Sequence, residues 1–270
     1  MFLLDYDGYY VKWKPIKRFC EGIDGRFEYV NVLTSLSMIF AGALLFFRVE
    51  KSPFLILASV SLLTNGFASL LFHIGGYFSY GLIDMTTLTF LSLFMLFHHL
   101  NTTWLKHYKA NSVVNLLVYM VFFVLYMGFV PYISFLGIRS DIPAFSFIPI
   151  GIFYGFTTIS AFIYMYKHDR GYLRDYCIGQ SGVLLALGIN FAYETFLCTK
   201  ITAYIPIHGF YHIVEAISLY RLIILAYCVE FRMELNCSTP FLYFFPAPRI
   251  FKSELLQSIS DGSESTLQAK

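Results

Sequence analysis

Long apolar stretches recur along this chain with only short polar interruptions between them. Seven are long enough to cross a hydrocarbon core of about 30 Å. They run over Tyr29–Val49, Pro53–Ile74, Tyr80–His98, Ser112–Tyr132, Pro143–Tyr166, Leu173–Phe196 and Ile207–Val229. The separators hold the charges and the breakers: Arg48 to Lys51 with Ser52-Pro53, Lys106 to Asn111, Gly137 to Pro143, and Lys167 to Arg170. Pro53 and Pro143 suit the first turn of a helix, where a missing N–H costs nothing. The pattern predicts an all-α fold, a polytopic membrane protein built as a bundle of seven transmembrane helices. The sixth segment is the most polar, opening on Arg174 and Asp175 and carrying Gln180, Asn190 and Glu194.

Composition sharpens that reading. Hydrophobic residues make up 57% of the 270 and charged residues 13%, where a soluble domain carries about a quarter charged. A net charge of +2 gives no reason to invoke nucleic acid. No internal repeat or low-complexity linker divides the chain. Residues 1–28 form an N-terminal segment without the charged head, apolar stretch and cleavage site of a signal peptide. Residues 29–232 form the helical domain and 233–270 a tail, which from Asn236 reads as disordered.

Lysine and arginine counts in short loops set orientation. Loops on the N-terminal side of the bundle hold Arg139 and Lys200, whereas the opposite loops hold Arg48, Lys51, Lys106, Lys109, Lys167, Arg170 and Arg174. The bias predicts an N-terminus outside or in a lumen and a C-terminus in the cytosol.

The candidate chemistry lies in polar residues inside apolar segments, which are costly there and usually mark a site. His208 and His212 are four residues apart, on one helix face. His73 closes the second segment, with Ser69 one turn earlier and Asp84 just inside the third. In the predicted topology all five fall at the outer ends of their segments. Three imidazoles with one open position are the ligand set of a catalytic zinc, and an acid beside them suits a hydrolase. His98 and His99 read instead as interfacial residues. Glu215 reads as a partner steadying a ligand histidine, and Arg221 as a structural cation in need of an acidic or polar neighbour.

The ordered set Gly66-Phe-Ala-Ser69-Leu-Leu-Phe72-His73, then Asp84, then His208-Gly-Phe-Tyr-His212 resembles the alkaline ceramidase family. That family lies within a superfamily of seven-span hydrolases that includes adiponectin and progestin receptors and GPI-lipid remodelling proteins. Cys20-Glu21 and Glu28-Tyr29-Val30-Asn31 match as well, so the likeness runs from about residue 20 to 230.

The resemblance implies a zinc ion on His73, His208 and His212. Asp84 would be the base that activates water, and Ser69 a donor to the developing oxyanion. It implies a membrane lipid substrate, a ceramide-like N-acyl sphingoid lipid cleaved to a sphingoid base and a fatty acid, in an endoplasmic reticulum or Golgi membrane. Two alternatives stay open: a lipid acyl-ester hydrolase of the GPI-remodelling type, and a receptor or scaffold with a structural zinc. The family's calcium site would use Glu21 and Glu28, with Asp24 adding an oxygen. Arg18, Gly22 and Ile23 depart from its pattern, as do Met85-Thr86-Thr87 after Asp84. Glu194 falls near a family acid at the lipid head-group site, and Cys20 and Cys198 match a paired cysteine.

Overall fold

Glu28 opens the first of seven long helices in the computed structural model, which describes residues 28–75, 78–105, 112–139, 148–192 and 207–249. The helices are α1 (Tyr29–Arg48), α2 (Pro53–Gly75), α3 (Phe78–His99), α4 (Ser112–Arg139), α5 (Ile148–His168), α6 (Arg170–Ala192) and α7 (Ile207–Phe231). Each overlaps one predicted apolar segment. A π-helical turn over Leu100–Leu105 extends α3. Four helical stretches, Tyr29–Arg48, Pro53–Gly75, Ser79–Thr103 and Ile207–Phe231, are long and apolar enough to cross a membrane.

The interior mixes an apolar core with polar stripes, and the exterior is rich in large apolar side chains. Along α1 the buried face reads Asn31, Ser35, Met38, Ala41 and Gly42, Leu45, and along α2 it includes Ser59, Asn65, Ser69 and His73. Meanwhile Phe47 is 77% exposed, Phe156 64% and Val124 62%. Polar groups inside and bulky apolar groups outside form a surface made for lipid.

Helix α1 packs against α2 and α7, α2 against α3, and α6 against α7. Two glycines permit the α1–α2 contact. A Cβ on Gly42 would stand 2.6 Å from the Leu63 amide nitrogen, and one on Gly66 2.7 Å from that of Ile39. Both clashes are with backbone, which cannot swing aside. Gly66→Ala is therefore expected to cost about 1–3 kcal/mol, seen as a lower melting temperature in detergent. An unchanged melting temperature would count against this packing.

The end of the bundle remote from His73 is tied by the chain beyond α7. Strand β1 (Glu234–Asn236) pairs antiparallel with β2 (Ala247–Arg249), and the short helix α8 (Pro240–Phe244) lies between them. Thr239 caps α8 by accepting from the Leu242 amide, and Pro240 takes its first position. This corrects the expectation of disorder from Asn236, since residues 236–249 are ordered. The reason is a demand for acceptors at the helix ends. Arg48 donates to the Phe245 and Pro246 carbonyls at 3.0 and 2.9 Å and bonds Tyr220. Arg221 donates to the Tyr243 carbonyl at 2.7 Å and pairs with Asp175 at 2.6 Å, which answers its need for an acidic partner.

Candidate metal centre

Two helices carry His73, His208 and His212 to one place. His73 sits in the last turn of α2, and His208 and His212 in the first two turns of α7. Ring centroids are 5.3 Å apart for His73–His208, 5.2 Å for His73–His212 and 4.7 Å for His208–His212. All three side chains are buried, and each offers one nitrogen within 4.8 Å of the others'. Helix α1 supplies the wall, brought close by Gly209, where a Cβ would stand 2.8 Å from Val30 Cγ1 and 3.1 Å from Thr34 Oγ1.

The outer hydrogen bonds decide which nitrogen faces the centre. His73 Nδ1 lies 2.5 Å from Glu28 Oε2, and His208 Nδ1 2.7 Å from Asn190 Oδ1. Both oxygens accept, so both Nδ1 atoms carry the proton. His212 Nδ1 lies 3.2 Å from Ser35 Oγ and 3.4 Å from Thr34 Oγ1. Those hydroxyls donate their protons to the Asn31 carbonyl at 2.8 Å and the Val30 carbonyl at 2.7 Å. Their oxygens therefore accept from His212 Nδ1–H. These contacts suit the tautomer that leaves each Nε2 lone pair free for an ion. That donor set fits zinc, whose histidine ligands are regularly oriented by such partners. The three nitrogens, all within 4.8 Å of one another, are close enough to share one ion.

Glu28 thus has a role in the structure that the sequence did not suggest, on His73 and on Asn31, whose Nδ2 donates to the same oxygen at 3.1 Å. Removing it with Glu28→Ala is expected to weaken metal binding about 10- to 100-fold, measured by competition with a chromophoric chelator. Equal affinity would show that the contact does not orient the ring.

Asp84, in the second turn of α3, is held by Asn65 of α2. Its Nδ2 lies 2.7 Å from both the carboxyl Oδ1 and the backbone carbonyl of Asp84. Ser69 is 1% exposed and lies beside the same carboxyl, with Ser35 Oγ 3.4 Å away. The expected steadying of the ligand histidines by Glu215 is supplied by Glu28, Asn190 and the α1 hydroxyls; Glu215 lies instead near Asp84 and Tyr211. Glu21, Asp24, Glu194, Cys20 and Cys198 lie outside the described residues. Among the described cysteines, Cys177, Cys228 and Cys237 are free.

His98 and His99 are only 4% and 8% exposed, packed between helices at the end of α3. His99 Nε2 lies 2.8 Å from Ser160 Oγ, and His98 Nδ1 3.3 Å from Ser52 Oγ. Partners on α5 and the α1–α2 turn draw both rings inward. They border an internal cavity of about 60 Å³ among α3, α5, α6 and α7.

No protein-family model matches the chain, and no curated protein matches it. The likeness to alkaline ceramidases therefore rests on the motifs quoted above and on nothing wider.

Proposed function

We propose that this protein is a zinc-dependent intramembrane hydrolase that cleaves the amide of ceramide-like lipids, related to the alkaline ceramidases. On this reading seven helices cross an endoplasmic reticulum or Golgi membrane, with the N-terminus in the lumen and the C-terminus in the cytosol. The observation that carries the proposal is the buried histidine trio, with Glu28, Asn190 and hydroxyls of α1 set against its Nδ1 atoms, in a bundle whose exterior is apolar. Ser69 lies one hydroxyl from His212, through Ser35, and Asp84 lies beside Ser69.

His73, His208 and His212 would hold the ion, which supplies the positive charge that makes water nucleophilic near neutral pH. Asp84, fixed by Asn65, takes a proton from the water that attacks the amide carbonyl. It returns that proton to the nitrogen as the C–N bond breaks, releasing a sphingoid base and a fatty acid. Ser69 donates its O–H to the carbonyl oxygen as negative charge gathers there. The apolar exterior lets substrate arrive sideways from the bilayer. Calcium, through Glu21, Glu28 and Asp24, and a Cys20–Cys198 disulfide remain part of the proposal at the N-terminal segment.

Purified protein should release fatty acid from N-acyl sphingosine, and a zinc chelator should stop it. An acyl-ester lipid supplied beside the amide should turn over more slowly. Faster ester cleavage would move the protein to the remodelling type, and no cleavage of either lipid would end the hydrolase reading.

A further inference from the structure

The segment beyond α7 reaches back from the end of the bundle towards its middle. Phe245 sets its ring edge-on against Phe40 of α1, with centroids 5.4 Å apart. Phe40 lies eight residues before the end of α1 at Arg48, which is about 12 Å along the helix. The Pro246 carbonyl accepts from the Tyr220 hydroxyl at 3.0 Å, and the Tyr243 carbonyl from Arg221 at 2.7 Å. Tyr220 and Arg221 stand eleven and ten residues before the end of α7 at Phe231, or about 15 Å inside it. Helix α1 has 20 residues. Its rise of about 30 Å matches the hydrocarbon core and leaves little length to project into water. Phe245 is thus level with the middle of a helix that has just the length to cross.

The chemistry of the segment suits that depth. From Leu235 to Pro248 no residue carries a charge. Backbone polar groups at membrane depth must be satisfied within the protein, and here the fold provides for them. Pro240, Pro246 and Pro248 have no N–H to place. The Tyr243 and Phe245 amides donate to the Thr239 and Phe241 carbonyls at 2.7 and 2.8 Å. The Ser238 amide donates to Asn236 Oδ1 at 3.1 Å, and the β1–β2 ladder closes the ends. Arg48 reaches the Phe245 and Pro246 carbonyls by pointing back along its helix, the direction its Cα–Cβ bond takes. Phe241, Tyr243 and Phe244 are left half exposed. Phe241, Phe245 and Phe40 form a run of rings 5.5 and 5.4 Å apart, so this face continues the apolar exterior of α1.

We infer that residues 235–248 form a re-entrant hairpin, dipping into the bilayer from the C-terminal end of α7, whose Phe241, Tyr243 and Phe244 face lipid acyl chains. The inference rests on the reading of α1 and α7 as membrane-spanning helices. Tryptophan quenching tests it, in phosphatidylcholine vesicles whose acyl chains carry bromine midway along their length. Two variants of the full chain are compared, Phe244→Trp and Leu36→Trp, with Trp13 and Trp104 changed to phenylalanine. Leu36 is exposed on α1 one turn from Phe40 and reports the spanning of α1 alone. Phe244→Trp should lose as much emission to the bromines as Leu36→Trp, and iodide in the buffer should quench neither. Should the double replacement fail to fold, the same two tryptophans are added to the unaltered chain and read by difference. Quenching of Phe244→Trp by iodide, with Leu36→Trp still quenched by bromine, overturns the hairpin and keeps the bundle in the membrane. Shielding of Phe244→Trp from both reagents overturns lipid as the partner and puts a second copy of the chain on this face. A Leu36→Trp signal that escapes the bromines would defeat the spanning helices themselves, and the hairpin with them.

Discussion

Replacing His212 with alanine should reduce fatty-acid release to the uncatalysed background and leave the protein without bound zinc. The reason is the number of donors. Three imidazoles converge, and a zinc held by two keeps neither the coordination nor the affinity of a catalytic site. His212 is also the imidazole most embedded in the scaffold, with its Nδ1 on Ser35 and Thr34 of α1 and its backbone carbonyl accepting from Ser37 at 3.2 Å. The loss should be chemical rather than structural. α7 has sixteen buried residues, including Leu219, Ile223 and Ile224, so the variant should still fold and elute as wild type. Turnover that survives in a folded, zinc-free variant would remove the metal from the mechanism.

Asp84→Asn should act on a different quantity. Asparagine keeps the shape, so Asn65 can still hold position 84 through its backbone carbonyl at 2.7 Å. What disappears is the capacity to take a proton from water and return it to the amine. Losing a positioned general base typically costs about 10²- to 10⁴-fold in rate, and here the fall should lie in kcat, with KM and zinc content close to wild type. A variant with normal kcat would exclude Asp84 as the base. A variant that loses zinc would make it a support for the ligands.

How much of this was legible in the sequence depends on what each residue must do alone. The seven helices could be read because each is an apolar stretch whose ends are marked by charge or proline. His208 and His212 could be read because four-residue spacing puts two costly rings on one face. The outer partners could not. Glu28 meets His73 across forty-five residues of chain, and no local pattern ties a helix start to the end of the next helix. Ser35 and Thr34 look like ordinary helix hydroxyls because each does bond a carbonyl one turn back; only the fold shows that this frees their oxygens for His212. A signal was present in the buried stripe Asn31 and Ser35, polar at helical spacing in an apolar segment. Asn190 was visible as a polar residue in α6, but its partner on α7 was not.

The C-terminal segment was missed for a different reason. The polar composition after residue 250 coloured the whole tail, while Phe241, Leu242 and Phe245 with Pro240 and Pro246 already gave residues 236–249 a reason to fold back. Arg48 and Arg221 had to donate somewhere at that end of the bundle, and the carbonyls of this segment receive them. The partners of His98 and His99, Ser52 and Ser160, lie on other helices or turns and no local pattern shows them. The π-helical turn carries α3 beyond them.

Metal analysis of the purified full-length protein tests the central claim most directly. The geometry of His73, His208 and His212 predicts one zinc per chain, retained through gel filtration and removed by a strong chelator. Protein that is folded, zinc-supplied during expression and still metal-free would contradict it.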